Sequence, residues 1–366
     1  MEFKISKTNF LDAIRIGASM SGKNKTLPMH SQAKITIKGN NFIVSSFDGE
    51  VAVTKKVEGV EASEDAVFCI EPKEIVSLVK SLRDNDLLFT VNENTLVISY
   101  KKGKAEFSVF SAEDFATPIE EEYNIKFTVK AQDLFNLLNA SKDFVSTDTL
   151  RPVMNGVFMY IEEGRFGVAA TDSVKLFNDF VTHEYNGETN GVVLSSKTTN
   201  VILSMINGYE DVEVSFGEKS VTATVSDSRM IARRIEGRYP NFKSVIPQQN
   251  KTRLSIDKED LLDTLSRIMF VANKASMSIK MTKKPMQLIV ESRDYEFGKK
   301  AEETCMCDSD CEEFVIGAHG GNLITAIRSI ESDTVEFLFT DVNRPIVLKD
   351  ENNPNRTIIV MPSRVD

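Results

Sequence analysis

The 366-residue chain has no tryptophan, three histidines and four cysteines. So few cysteines exclude a disulfide-stapled scaffold. His30, His183 and His319 fall into neither a Ser-His-Asp nor a His-Glu-x-x-His arrangement. No motif assembles a nucleophile, a base and an orienting group. The carboxylates form no paired set on an otherwise apolar stretch and read as solvated surface. Long apolar runs are missing too. None approaches the roughly 20 residues of a membrane span, and the start, Met-Glu-Phe-Lys-Ile-Ser-Lys, lacks the apolar core of a signal peptide. The expectation is a cytoplasmic chain with no membrane partner. Positive charge is in deficit, with 44 Lys and Arg against 54 Asp and Glu, a net −10. Spread evenly, that balance argues against binding a phosphate backbone.

Two short stretches invite a chemical reading and do not sustain it. Cys305, Cys307 and Cys311 have a C-x-C-x3-C spacing that matches no standard zinc pattern. They read as small apolar thiols on a loop or strand, and no metal or cofactor is expected. "GASMSGKN" (17–24) approaches a phosphate-binding loop, but Asn24 stands where the magnesium-binding hydroxyl is required. The helix-like stretch before it is also the wrong context. Gly17 and Gly22 are read as helix-end and loop glycines.

What the chain does contain is a pattern repeated three times. "SKTNFLDAIRIGAS" (6–19), "AQDLFNLLNASKDFVS" (131–146) and "DKEDLLDTLSRIMFVANK" (257–274) have helical apolar spacing and lie about a third of the chain apart. A second helix follows in each unit: 71–83, 195–206 and 317–330, with starts 124 and 122 residues apart. After each comes a hairpin of alternating residues, turning at Asn92–Asn94, Gly217–Lys219 and Asp341–Asn343, and then a closing strand at 105–110, 229–235 or 356–361. The polar linkers 116–124 and 247–253 set three domains, 1–120, 125–247 and 252–366. The fold class is α+β, with two helices packed on antiparallel sheets in each of three tandem similar domains.

Charge is not spread evenly over this pattern. The six helical stretches 7–25, 73–83, 131–146, 195–206, 257–274 and 318–330 sum to +5, which leaves −15 on the rest. A mildly basic helical face with an acidic remainder suits a protein that surrounds a polyanion without gripping it.

"TLPM" (26–29), "LRPVMNGVFM" (150–159), "AATDSVKLF" (169–177), "EGRYPNFKSVIP" (236–247) and "IIVMPSRV" (358–365) resemble the bacterial DNA sliding clamp, the beta subunit of DNA polymerase III, in order and spacing along the whole chain. The resemblance implies a non-catalytic processivity factor: a head-to-tail homodimeric ring whose helices line a hole around double-stranded DNA. Twelve helices about 9 Å apart would enclose a circle roughly 34 Å across. It implies DNA contacts at Lys25, Lys73, Lys80, Arg151 and Lys197, and a dimer contact of Phe107 and Val109 with Met269 and Phe270. It also implies a groove for peptide tails between domains 2 and 3, formed by Met154, Thr171, Val174, Lys175, Leu176, Pro240, Val245, Val360, Met361, Pro362, Ser363, Arg364 and Val365. The partners implied are the DNA polymerase III alpha subunit, the clamp loader, and other polymerases and repair proteins that carry clamp-binding peptides. The chain departs from the family pattern at Ser173-Val174-Lys175-Leu176 and in its Ser363-Arg364-Val365-Asp366 ending. The tail after the last strand is expected to be free to line that groove. A repeat-built scaffold with no DNA role would explain the repeats but not the basic helices. A nucleotide-dependent enzyme would need the defective loop at 17–24.

Overall fold

The computed structural model describes residues 1–20, 28–83, 86–118, 120–247, 249–250, 252–310 and 312–364. Lys25, Val365, Cys311 and residues 21–24 of the loop-like stretch lie outside the described residues. Among the described residues there are six α-helices: α1 Lys7–Met20, α2 Pro72–Ser81, α3 Ala131–Ser141, α4 Ser196–Ile206, α5 Lys258–Met269 and α6 Gly320–Arg328. Apart from the two-residue strands Glu61–Ala62 and Pro362–Ser363, each is preceded by one strand and followed by three. The same half-unit therefore occurs six times, two per domain.

Local chemistry accounts for the helices. In α1, Phe10, Ala13, Ile14 and Gly17 recur at helical spacing and are buried. Proline opens α2 at its first turn, and Ile75, Val76 and Val79 are buried beneath it. The Asp257 side chain caps α5 by accepting from the Asp260 amide at 2.8 Å. His319 caps α6 in the same way, accepting from the Asn322 amide. Two details differ from the sequence reading. The sixth helix begins at Gly320 rather than 317, because Phe314–His319 is a strand. Gly17 does not end a helix but lies inside α1, where a Cβ would stand 2.3 Å from the Ser46 hydroxyl, so the glycine allows helix and sheet to approach.

The described chain forms two compact units. The first comprises residues 1–135 and 197–234, the second 136–196 and 235–366. The first unit holds a five-stranded and an eight-stranded sheet. Its core includes Phe3 stacked on Phe89 at 4.6 Å, with Phe10 packed 4.9 Å from Phe89. The second unit holds a thirteen-stranded antiparallel sheet.

Neighbouring domains join through strand pairing. The closing strand of the second domain, Ser228–Arg233, runs antiparallel to Val51–Glu58 of the first, with Met230 opposite Val53. The closing strand of the third, Thr357–Val360, runs antiparallel to Lys175–Thr182 of the second, with Ile358 opposite Phe177. Among the described residues, one closing strand and one third strand take no part in such a joint. Gly103–Ser108, the closing strand of the first domain, is the last strand of its sheet. In the long strand Lys299–Ser309 of the third domain, residues 299–306 pair with Gln287–Asp294 along one edge, and only residues 307–309 pair along the other.

Candidate functional site

The groove residues meet where Lys175–Thr182 joins Thr357–Val360. The turn before the first of these strands is closed by its own side chains. Asp172 Oδ1 accepts from the amides of Val174 at 3.0 Å and Lys175 at 2.8 Å. The Thr171 hydroxyl accepts from the Ser173 amide and donates to the Lys175 carbonyl at 2.7 Å. These bonds hold Ser173 at φ +76°, a left-handed conformation that a short polar residue tolerates. The Lys175 ammonium pairs with Asp172. The result is a rigid corner that turns Val174 outward, 46% exposed.

The tail is placed against this corner. Lys175 lies opposite Val360 and Leu176 opposite Ile359, and the Met361 amide donates to the Val174 carbonyl at 2.8 Å. Exposed Val174 and Met361 thus lie opposite each other, next along their chains to the pairs Lys175–Val360 and Leu176–Ile359, in which Leu176, Val360 and Ile359 are buried. Leu176 belongs to an apolar cluster with Tyr160, Ala169, Tyr239, Phe242, Val347 and Ile359. The stretch carrying Pro240 and Val245 is anchored there: Tyr239 stacks on Phe158 at 4.7 Å, and Phe242 packs against Tyr160. Pro240 and Val245 themselves stay exposed. Met154 is buried in the short turn Pro152–Met154, and the Arg151 guanidinium before it donates to the Ser173 hydroxyl at 3.3 Å. The predicted groove residues of this unit therefore share one neighbourhood, and Arg151 is tied to its corner.

The tail is not free, which corrects the sequence reading. Pro362–Ser363 forms a short strand against Phe314–His319, with Ser363 opposite Gly317 and Pro362 opposite Ala318. A Cβ on Gly317 would stand 2.6 Å from the Ser363 carbonyl oxygen, so only glycine admits the tail there. Ser363 and Arg364 remain exposed.

A buried ion network just before the tail strand was missed from sequence. Arg356 is 2% exposed. It donates to Asp179 at 2.8 Å and Asp350 at 3.3 Å, and to Glu331 and the Ser329 carbonyl. Burial pushes the Asp179 carboxyl above its usual range, and the Arg356 charge opposes that shift. The aromatic anchors Tyr239 and Phe242 were missed as well, although their stretch was recognised. The signal was the pair of aromatic residues flanking Pro240.

Of the predicted DNA-facing cations, Lys73 and Lys80 lie exposed on one face of α2, and neither pairs with a carboxylate among the described residues. Lys197, near the start of α4, is ion-paired with Asp48, so part of its charge is already answered. Phe107 and Val109 are half-buried against their own core, while Phe270 is 85% exposed. Met269 packs beside Gly320, where a Cβ would meet its sulfur at 2.3 Å. Cys305 and Cys307 are buried on the strand Lys299–Ser309, and among the described residues no metal-binding cluster forms. Likewise, among those residues no helix is long and apolar enough to cross a membrane.

A threefold tandem, each repeat built of two β-α-β-β-β half-units, with strand-to-strand joints between repeats defines a clamp-type fold. Residues 1–118, 128–241 and 243–364 match, in turn, the N-terminal, central and C-terminal domain families of the DNA polymerase III beta subunit. The chain is 26% identical over 381 residues to the beta sliding clamp of Staphylococcus aureus, covering 100% of this chain and 99% of that one. It is 23% identical over 377 residues to that of Rickettsia felis, covering 99% of each. Its fold superposes on the sliding clamp of Pseudomonas aeruginosa with a TM-score of 0.94 at 20% identity, and on the DNA polymerase III beta subunit of Thermotoga maritima with 0.92 at 22%, each over 100% of both chains. The chain belongs to the DNA polymerase III beta subunit family, the bacterial sliding clamps. It acts as a processivity clamp of the replicative polymerase and not as an enzyme.

Proposed function

We propose that two copies close head to tail into a ring around duplex DNA and tether their partners through the corner formed by Val174, Leu176, Val360 and Met361. One observation carries the ring. Each internal joint pairs the closing strand of one domain with the third strand of the domain before it, and this rule leaves Gly103–Ser108 and Lys299–Met306 as complementary unpaired edges. Applied once more, between copies, it closes the circle and removes both edges from solvent. The domains are 1–120, 125–247 and 252–366. Phe107 and Val109 of one copy face Met269 and Phe270 of the other.

Lys73 and Lys80 line the passage, with Lys25, Arg151 and Lys197 as further contacts. A few unpaired cations attract phosphates without fixing a register, which permits sliding. The groove takes short apolar peptides from the polymerase alpha subunit, the clamp loader and other polymerases and repair proteins. Met154, Thr171, Lys175, Pro240, Val245, Pro362, Ser363, Arg364 and Val365 complete it. Tethering raises the local concentration of the partner, so a weak peptide contact suffices. The site of action is the cytoplasm, at the nucleoid. The test is retention on DNA. Rings loaded on nicked circular DNA should survive a high-salt wash and be lost on linearisation. Equal loss from both would sink the proposal, since ordinary phosphate binding falls steeply with salt. Lys73→Glu with Lys80→Glu should cut loading while leaving peptide binding intact.

A further inference from the structure

The joint between the first and second domains repeats the backbone of the peptide corner with different side chains. This inference rests on the reading of that corner as a peptide groove. Asp48 and Asp172 each accept, through Oδ1, from the amides two and three residues on. Gly49, at φ +93°, stands where Ser173 is held at +76°. The Arg233 amide donates to the Glu50 carbonyl at 3.0 Å, as the Met361 amide does to the Val174 carbonyl. Ala52 lies opposite Ile231, as Leu176 lies opposite Ile359. The linkers match as well. Phe110 bridges to Cys69 and Ile235 to Val193, and these two partners lie opposite Lys34 and Phe158. The Phe115 ring then lies 5.7 Å from the Lys34 ammonium, where Tyr239 stacks on Phe158.

The chemistry differs at almost every counterpart. Lys34 replaces Phe158, Ser45 replaces Ala169 and Ala52 replaces Leu176. At the corner itself, Glu50 and exposed Arg233 stand where Val174 and Met361 do. A cavity of about 380 Å³ opens here, lined by Lys34, Ser45, Thr54, Phe115 and Ile231 among others. That volume falls in the range of sites that take small ligands or peptide side chains. Arg229 at its margin is already answered by Glu120, with bonds of 2.7 and 3.1 Å. Lys34 is not: among the described residues no carboxylate pairs with it, and its ammonium faces only the Phe115 ring. A cation without a counter-ion beside an aromatic face favours a carboxylate with an apolar neighbour.

We propose that this second corner docks an acidic peptide segment of a clamp partner. A carboxylate side chain meets Lys34 and Arg233, and the apolar residue beside it lies against Phe115. The two corners then divide partners by charge, the first taking apolar tails and the second acidic ones. Binding at the second weakens with ionic strength.

The test is fluorescence polarisation on the full chain, with thermal melts to confirm folding. The labelled probe is the hexapeptide Asp-Glu-Phe-Asp-Glu-Asp. It should bind saturably, and Lys34→Glu with Arg233→Glu should weaken it by about 10-fold or more, because two attractive contacts become repulsive. Lys34→Arg should stay within about 3-fold of the parent, since the charge remains. Lys274→Glu with Lys284→Glu, an equal reversal on exposed lysines of the third domain, should change affinity by less than about 2-fold, because charges beyond the Debye length are screened. An excess of the unlabelled apolar peptide Leu-Leu-Gly-Leu-Phe should not displace the probe. No saturable binding, equal loss under both reversals, or displacement by the apolar peptide would overturn the second corner. An apolar peptide that fails to bind the parent chain would overturn the reading of the first corner instead.

Discussion

Replacing Arg356 with methionine tests how the tail strand is held. The guanidinium, 2% exposed, reaches Asp179 and Asp350, which are 1% and 2% exposed. Removing one partner of a buried ion pair costs about 3–5 kcal/mol, since the other charge is left without a counter-ion. Both carboxylates keep other donors here. Asp179 still accepts from the Phe180 amide and the Asn353 side chain, and Asp350 from the amides of Glu331, Ser332 and Asn352. The lower end, about 3 kcal/mol, is therefore expected. The second unit spans about 190 residues, a size at which 1 kcal/mol moves the melting midpoint by about 2–4 °C, so Arg356→Met should melt about 6–12 °C lower. Differential scanning calorimetry of the full chain reads this directly. Adding Asp179→Asn should recover part of the loss, because it removes the stranded charge. The residue directly precedes Thr357–Val360, so groove-binding peptides should also bind more weakly to Arg356→Met. A midpoint within about 2 °C of the parent would refute the reasoning.

Two further outcomes follow from named contacts. Gly317→Val should dislodge the Pro362–Ser363 strand, because the new side chain meets the Ser363 carbonyl. Peptide affinity, read by fluorescence polarisation, should fall at least 10-fold while the dimer persists; unchanged affinity would show that the tail strand has no part in the groove. In the first unit, Lys55 is buried between Asp12 at 3.1 Å and Asp227 at 3.3 Å and donates to the Tyr209 hydroxyl. Burial alone would lower its pKa, yet these partners outweigh burial and raise it above the usual value near 10.5. A raised lysine contributes stability that is fully present below about 10.5 and is lost as pH rises through the higher folded value. Asp227, despite burial that pulls the other way, is held below the usual 3.8 by its hydrogen bonds and Lys55, so its contribution is lost as pH falls through that lower value. Urea melts followed by circular dichroism should lose stability at both limits, and Lys55→Met should flatten the alkaline one. An alkaline limb unchanged by Lys55→Met would contradict this assignment.

The parts of the fold that were legible in the sequence are those whose cause is local. The helical spacing behind α1 and α2 and the Asn92–Asn94 and Gly217–Lys219 turns depend on neighbours a few residues away, and these helices and turns stand where they were expected. The tail strand was missed because its partner, Gly317, is 46 residues distant and is marked only by lacking a side chain. The Arg356 network joins Asp179, Glu331 and Asp350 from three separate elements. No pattern along the chain distinguishes these acids from the solvated majority. The groove stood between these cases. Family resemblance marked the residues proposed to form it, while the packing of Tyr239 and Phe242 beside them becomes evident only once the rings are seen together.

The proposed ring must open somewhere to admit closed DNA, and the joints differ in what opening exposes. At the internal joints the core-facing pairs are Val53 with Met230 and Phe177 with Ile358, flanked by Ala52 with Ile231 and Leu176 with Ile359. The free edges that the proposed ring brings together between copies carry Lys104, Glu106, Lys300 and Glu302, all exposed. Each large apolar side chain replaced by a solvated ion forgoes roughly 1–3 kcal/mol of burial, whereas an exposed cross-strand ion pair returns only about 0.2–1 kcal/mol. The internal joints gain again from being tethered in one chain, which raises the effective concentration of their strands. Parting the copies would break the joint with the least apolar pairing between its strands and would leave the sheets within each unit intact. In the proposed ring, opening is therefore expected between copies, with no domain unfolding.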